Sequence, residues 1–200
     1  MRLKIFCTAT IAPILLTGCV SLGGGKPPDQ LLNLTLAGDG VAAGTVRSGP
    51  IGSALIVQMP SVPQKLRNVR IPVESGGTAI AYVPEAQWVE PPARLFQRLL
   101  TESIAASSNR LVLNESENIT GPGEVLTGEL SNFGIDGYAR EAVVSFAAVR
   151  LQADGQQVVQ RRFEAREPIA QIDALGAAAA LSRAANRVAA EVATWMAEGR

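Results

Sequence analysis

The sequence predicts an α+β fold, in which an antiparallel β-sheet carries two α-helices packed on one face. Three features support this prediction. Short apolar runs with a period of two, bounded by glycine and proline, are typical of strands. Two longer segments repeat their apolar residues at helical spacing. The pair Asp154-Gly155, set between two apolar strands, is the strongest short-range signal for a hairpin. Together these elements indicate helices layered on a sheet.

Three short strand signals come first. Residues 53–59 form an apolar, β-branched run that stops at Pro60, which is typical of a buried strand. Residues 68–73 predict a second strand, in which Pro72 favours an edge or a bulge. Residues 78–83 alternate between apolar and other residues and lie between turn signals. We therefore expect a hairpin between the second and third strands.

The period then changes to that of a helix between Pro91 and Ser107. Proline suits the first helical position, because that N–H has no partner within a helix. We expect Trp88 to pack beneath the start of this helix. The predicted apolar face comprises Leu95, Phe96, Leu99, Leu100, Ser103 and Ile104.

Four further strands and a second helix fill the rest of the chain. The strands are predicted at residues 110–114, 125–133, 141–152 and 157–165. Simple alternation places Phe133 on the face of the strand opposite to Leu126 and Leu130. An alanine-rich helix is predicted at residues 172–196, with an apolar face of Leu181, Ala185, Val188, Val192, Trp195 and Met196.

The N-terminus has the features of a bacterial lipoprotein signal peptide. Two basic residues precede an apolar stretch at residues 5–16, which is shorter than the roughly 20 residues that a membrane-spanning helix needs. The stretch ends in LTGC, with Cys19 last, and this pattern resembles the lipobox, whose cysteine becomes the lipidated first residue. We therefore expect removal of residues 1–18 and acylation of Cys19. The alternative is a signal peptide with an incidental cysteine, cut near Ser21.

The predicted organisation has three parts: residues 1–18 as signal peptide, 19–49 as lipidated cysteine and flexible tether, and 50–200 as folded domain. The tether is rich in glycine, proline and small residues. Residues 30–36 within it predict a first strand with a leucine-rich inward face. Two or more acyl chains would hold the protein durably at a membrane. Val20 follows the cysteine in place of the aspartate that retains enterobacterial lipoproteins at the inner membrane, which favours the outer membrane.

The composition excludes several classes of function. The chain carries 18 basic and 18 acidic residues, without the clustered positive field that nucleic acids require. It has no histidine, and its two cysteines are Cys7, within the signal peptide, and Cys19. Histidine-based catalysis, histidine or thiolate metal sites and disulfides are therefore excluded from the mature chain. No cofactor is expected.

Candidates for catalysis are few. The acidic residues that could act as acids or bases are Glu115, Glu117, Asp136, Glu164 and Glu167. Each fits a loop, a turn or a strand end better than a catalytic position. The two lysines of the mature chain, Lys26 and Lys65, lack a Ser-x-x-Lys spacing. The sequence therefore predicts a protein that is not an enzyme.

From residue 53 to the end, the order of these pieces resembles the ABC-type transport auxiliary lipoproteins, including the PqiC (YmbA-like) lipoproteins of MCE lipid-transport systems. The most specific part is the stretch from Tyr82 to Trp88 followed by an amphipathic helix. The resemblance also includes Cys19 in its lipobox, residues 56–60, residues 126–130 with Phe133, the strands around Val144 and Phe163, and the ending Trp195-Met196.

This resemblance implies an accessory of a lipid-transport system that faces the periplasm. Such systems pair an inner-membrane ABC transporter with MCE-type proteins that span the periplasm. The lipoprotein would dock the far end of that assembly at the outer membrane. A lipid anchor, a short tether and a rigid sheet domain suit binding and positioning of a partner.

Other hypotheses stay open at this point. A lipid-binding or chaperone module could line a groove with residues 31–36 and 174–190, although both fit a core equally well. An assembly factor for secretion or for the peptidoglycan layer would use the same anchored domain. Exposed edge strands also allow a homo-oligomer.

Overall fold

The computed structural model describes residues 29–117 and 123–198. The predicted signal peptide and Cys19 lie outside this part of the chain. Within it, each predicted strand from residue 53 onward and both predicted helices are present. The elements are β1 (Leu55–Val57), β2 (Arg70–Ser75), β3 (Ala79–Gln87), α1 (Pro92–Ser107), β4 (Val112–Asn114), β5 (Glu124–Asp136), β6 (Glu141–Leu151), β7 (Val158–Pro168) and α2 (Ala174–Glu198).

The seven strands form one sheet with β5 at its centre. On one side β5 pairs antiparallel with β6, and β6 pairs antiparallel with β7. On the other side β1 and β2 both run parallel to β5, β4 lies outside β1, and β3 lies outside β2. The α+β class is confirmed, but the sheet is mixed where an antiparallel sheet was expected. Two neighbouring parallel strands need a crossover connection between them. Between β1 and β4, this connection consists of the β2–β3 hairpin and α1.

A β-bulge changes which side chains of β5 face the core. Leu130 pairs with Phe146, whereas Asn132 pairs with Ser145, so Ser131 is an extra residue in the ladder. An extra residue reverses the alternation beyond it. Phe133 therefore joins Leu126 and Leu130 in the core. The expectation that Phe133 lies on the opposite face was wrong for this reason.

Both helices cover one face of the sheet and also pack on each other. Three aromatic pairs tie the layers together: Phe96 of α1 with Phe146 at 5.3 Å, Phe163 of β7 with Trp195 of α2 at 5.6 Å, and Trp88 with Phe133 at 5.6 Å between ring centroids. The apolar faces predicted for α1 and α2 are confirmed, because all of their named residues are buried.

The leucine-rich segment before residue 37 packs on the domain. Leu32 forms a single bridge to Trp88, with its N–H donating to the Gln87 carbonyl at 2.8 Å. Leu32 and Leu34 are buried in the core. The Asn186 side chain of α2 donates to the Thr35 carbonyl at 3.0 Å and accepts from the Ala37 N–H at 2.7 Å. The segment is thus held by one bridge, side chains and burial, and the packed part of the chain begins near Leu32.

The β6–β7 hairpin is confirmed, but its loop is longer than two residues. Gln152 donates its N–H to the Gln157 carbonyl at 3.1 Å and closes a loop of four residues. Within the loop the Gly155 N–H donates to the Gln152 carbonyl at 2.9 Å. Gly155 has a φ of +67°, which only glycine adopts without a steric cost. The Asp154-Gly155 pair therefore sets the turn. At the loop, the paired part of each strand is one residue shorter than predicted, because β6 ends at Leu151 and β7 begins at Val158.

Candidate functional site

Two of the acidic candidates hold the loop after β4. Glu115 accepts hydrogen bonds from the Met59 N–H and the Gln97 amide, both at 2.7 Å, and so joins the end of β1 to α1. Glu117 accepts from the Asn114 N–H at 2.8 Å. Neither carboxylate is paired with a second carboxylate or with a nucleophile in these contacts. Their contacts are those of loop-stabilising residues.

Asp136 and Glu164 belong to an ion network on the sheet face that the helices leave open. Arg166 lies 3.0 Å from Glu164, 3.5 Å from Glu141 and 3.7 Å from Asp136. The Ser145 hydroxyl donates to Glu164 at 2.7 Å. The network clamps β5, β6 and β7 together across the open face.

The hydrogen bond from the Ser145 hydroxyl is the largest cause that lowers the pKa of Glu164 below its ordinary value of 4.5. Burial acts in the opposite direction, and the guanidinium groups of Arg162 and Arg166 lower this pKa further. The hydrogen bond to Glu164 in turn raises the pKa of Arg166. Both groups therefore stay charged at neutral pH.

Replacing Glu164 by glutamine is expected to lower the free energy of unfolding at pH 7 by about 1 kcal/mol, the usual contribution of a partly exposed charged hydrogen bond. A carboxylate whose pKa is lower in the folded state stabilises fully above its unfolded pKa, and this stabilisation is lost as the pH falls through the folded pKa. The difference between wild type and Glu164→Gln should therefore shrink below about pH 4. Urea unfolding at several pH values measures it.

Glu102→Gln is the matched control for this prediction. Glu102 is exposed on α1 and makes no ion pair within residues 29–117 and 123–198, so its replacement should leave stability unchanged at each pH. A difference for Glu164→Gln that stays constant between pH 7 and pH 3 would contradict the assigned role of the carboxylate.

The last acidic candidate, Glu167, joins β7 to α2. It is nearly buried and lies 3.3 Å from the Arg183 guanidinium, with Arg187 as a second partner. A buried carboxylate needs such partners, so these two ion pairs fit a structural role for Glu167. All five acidic candidates therefore have structural partners, and no group of His, Cys, Asp or Glu side chains in the described ranges could hold a metal ion.

A buried ion cluster was missed in the sequence. Glu124, at the start of β5, accepts from Arg110 at 2.5 Å and from Arg150 of β6. The signal that could have found it is Arg150, which follows Val144, Phe146 and Ala148 at a spacing of two and so occupies a core-facing position. A charged residue at such a position requires a buried partner.

The buried side chains of the two segments considered for a lipid groove belong to the core. Leu32 and Leu34 share one hydrophobic cluster with the buried alanines of α2, which are Ala177, Ala180, Ala184, Ala185, Ala189 and Ala193. Alanine lets the helix approach the sheet closely. These side chains are packed against other apolar residues and are not available to line a groove.

Among the described strands that lie at an edge of the sheet, β7 is the longest. β7 pairs with β6 from Val158 to Pro168, and no strand of the described chain pairs with its other side. Val158 and Val159 are 65% and 41% exposed. Unpaired N–H and C=O groups along an edge favour addition of another strand. We call this surface, Val158–Pro168, the β7 edge.

Two arginines of β7, Arg161 and Arg162, lie beside the edge. Arg161 stacks over the Phe163 ring at 5.1 Å, and Arg162 pairs with Glu164 at 2.9 Å. Their charges limit unspecific aggregation of an exposed edge. Cys19, the predicted lipidation site, lies outside the described residues. Among the helices that are described, none is long and apolar enough to cross a membrane.

Two solved structures show the same fold. Protein XCC0632 from Xanthomonas campestris, assigned to family DUF330, has a TM-score of 0.68 and 21% sequence identity, and the match covers 84% of this chain and 94% of that one. A second crystal structure, described as an uncharacterized protein, has a TM-score of 0.63 and 12% identity, with coverage of 76% and 96%. At these identities the likeness concerns the fold alone. No curated protein sequence matches the chain.

The sequence itself matches a family model over residues 35–193. The matched range begins within the leucine-rich segment and ends in α2, so it includes β1 to β7, all of α1 and most of α2. The family is described as the ABC-type transport auxiliary lipoprotein component. This chain belongs to that family of transport auxiliary lipoproteins.

Proposed function

We propose that this lipoprotein is anchored in the outer membrane by acyl chains on Cys19, faces the periplasm and serves as a non-catalytic accessory of an MCE/ABC-type phospholipid transport system. Membership of the auxiliary lipoprotein family supports a role beside an ABC transporter. The LTGC sequence that ends at Cys19 supports lipidation, and Val20 in place of aspartate supports the outer membrane. The structural roles of the five acidic candidates support a task other than catalysis.

The length of the tether limits where the domain acts. Twelve residues lie between Cys19 and Leu32, where the packed part of the chain begins. A fully extended chain of this length reaches at most about 45 Å. The domain therefore stays close to the membrane that holds the lipid, and its partner must extend across the periplasm to reach it. The predicted division into signal peptide (1–18), tether (19–49) and domain (50–200) is part of this proposal, with the tether shortened to end near Leu32, because Leu32 and Leu34 pack in the core.

One observation supports docking most directly: the β7 edge is an eleven-residue strand with one side unpaired in the described chain. We propose that the periplasmic MCE-type component adds a strand there. Backbone hydrogen bonds would supply affinity, and alternate side chains along the edge would supply specificity. The mixed charges of the edge favour a partner segment that carries both signs.

Site-specific photocrosslinking in the native envelope tests this proposal. A photoreactive residue at Gln160, exposed on the β7 edge, should form an adduct with an MCE-domain protein, identified by mass spectrometry. The same residue at Glu191, exposed on the outer side of α2, is the matched control and should form none.

Three results would contradict the proposal. Adducts at Gln160 with other envelope machinery alone would exclude the MCE partner. Adducts only with a second copy of this chain would make the β7 edge a self-association surface. Equal yields of the MCE adduct at Gln160 and Glu191 would exclude a specific role for the edge.

A further inference from the structure

The backbone of β7 directs its unpaired groups to the β7 edge at every second residue. At the two ends of the β6–β7 ladder, the Gln152 N–H donates to the Gln157 carbonyl at 3.1 Å, and the Ile169 N–H donates to the Arg140 carbonyl at 2.9 Å. The ladder between these ends has no register shift. Backbone groups in an antiparallel ladder alternate between the two sides of a strand. The N–H and C=O groups of the even-numbered residues from 158 to 166 therefore point to the unpaired side.

The same even-numbered residues place their side chains on the sheet face that the helices leave open. Phe163 and Ala165 are buried in the core, and side chains alternate between the two faces of a strand. On the open face, the Glu164 carboxylate accordingly accepts from the Ser145 hydroxyl. Residues that lie directly opposite each other in neighbouring strands have their side chains on the same face. A strand added at the β7 edge would therefore extend the open face.

A row of apolar side chains crosses the open face and ends at the β7 edge. Ile56 of β1 pairs with Leu113 of β4 on one side and with Val125 of β5 on the other. Val125 pairs with Leu151 of β6, and Leu151 pairs with Val158 of β7. Val158 is 65% exposed, and no described strand lies beyond it. An apolar residue on an added strand would continue the row and bury Val158.

Arg162 places a positive charge on the same face, two pairs further along the edge. Its side chain is 68% exposed, and its guanidinium lies 2.9 Å from the Glu164 carboxylate. Arg166 also binds Glu164, at 3.0 Å. Arg166 has two further carboxylates nearby, Glu141 and Asp136, whereas Arg162 shares its one carboxylate within the described chain. An acidic residue opposite Arg162 would balance this charge, and a basic residue there would be repelled.

The other two edges of the described sheet are less suited to strand addition. The pairing of β3 with β2 is irregular between Tyr82 and Gln87. This part of β3 contains Pro84, and Glu85 has a φ of +56°. Proline and bulges interrupt the row of backbone groups that an added strand requires. β4, at the remaining edge, has three residues. Among the described strands, β7 thus offers the one long and regular edge.

We propose that the strand added at the β7 edge carries an apolar residue opposite Val158 and an acidic residue opposite Arg162, four positions apart. This inference rests on the proposed docking at the β7 edge and names the chemistry of the segment that docks. The spacing is the same for a parallel and an antiparallel partner, because it copies the spacing of Val158 and Arg162. The position between them lies opposite Gln160 and suits a polar side chain. Backbone hydrogen bonds hold the segment, and the two side chains select it.

The test measures the yield of the photocrosslinked adduct at Gln160, with the full lipoprotein in the native envelope. Arg162→Glu should lower the yield about tenfold, because it places two carboxylates opposite each other. Val158→Thr keeps the shape of the side chain and should lower the yield about threefold, because a hydroxyl replaces a methyl group that becomes buried. Arg67→Glu makes the same change of charge at an exposed arginine before β2, and the yield should be unchanged.

Mass spectrometry of the adduct supplies a second readout. The crosslinked segment should contain an apolar and an acidic residue four positions apart. Replacing that acidic residue by arginine should restore the yield with Arg162→Glu, which a mere loss of folding would not allow. Circular dichroism checks that each variant is folded.

The outcomes separate this inference from the proposed function. A segment with the expected pattern in a different envelope protein would support the inference and overturn the MCE partner alone. An MCE adduct whose yield is insensitive to Arg162→Glu, or is lowered equally by Arg67→Glu, would overturn the inference and leave docking at the edge in place. Absence of any adduct at Gln160 in the wild-type background would overturn both.

Discussion

Replacing Cys19 by serine is expected to abolish acylation of the protein. The proposed anchor requires the Cys19 thiol, which a serine hydroxyl does not replace as an acceptor of the lipid. Each buried methylene of an acyl chain contributes about 0.8 kcal/mol, and two or more chains make membrane attachment durable. Loss of the chains should therefore be an all-or-none effect. Metabolic labelling with a radioactive fatty acid measures it, and mass spectrometry of the N-terminal peptide locates both the cleavage site and the lipid.

Cys7→Ser is the matched control, since Cys7 is the other cysteine of the chain and lies within the predicted signal peptide. It should leave the label and the mature N-terminus unchanged. A Cys19→Ser protein that still carries the label, or a wild-type mature chain that begins near Ser21, would show that the LTGC sequence is incidental. The proposal of a lipid anchor would then fail.

Replacing Gly128 by alanine is expected to destabilise the fold by about 3 kcal/mol, from backbone strain and overpacking together. Gly128 lies in the centre of β5 with a φ of +151°. A Cβ there would overlap the Ala147 carbonyl oxygen and lie 2.9 Å from a ring carbon of Phe146. Because both neighbours belong to β6, the long β5–β6 ladder would have to shift. Urea unfolding measures the change, and thermal unfolding should show a decrease of roughly 6–12 °C.

Gly40→Ala provides the control for this substitution. No atom lies within 4 Å of a Cβ built at Gly40, and its φ is outside the left-handed region. Its replacement should change stability by less than about 0.5 kcal/mol. If Gly128→Ala were equally neutral, the close approach of β5 and β6 at this point would be wrong, and with it the register around the bulge.

Features encoded by neighbouring residues were predicted well. The apolar face of α1 could be identified because Leu95, Leu99 and their neighbours recur at the helical period. The β6–β7 hairpin could be identified because Asp154-Gly155 favours a specific turn. The assignment of Cys19 as the lipidation site stays a prediction, and it rests on a signal that is contiguous along the chain. Each of these inferences needs only one segment of sequence.

Features of the candidate sites could not be predicted in this way. The β7 edge is a site only because β6 pairs with one side of β7 and no described strand pairs with the other. The apolar row that ends at Val158 depends on how β1, β5, β6 and β7 align with one another. No local pattern shows that its residues lie side by side.

The secondary elements and the buried faces of both helices follow from the sequence alone, because they depend on periodicity and turn chemistry. The lipid anchor is predicted from a contiguous motif in the same way. Three features became evident only from the three-dimensional structure: β1 and β2 run parallel to β5, Ser131 forms a bulge, and Leu32 and Leu34 belong to the core. Strand direction and register arise from contacts between segments that are far apart in sequence. Their free energies depend on the packing of the whole sheet, which a local pattern does not contain.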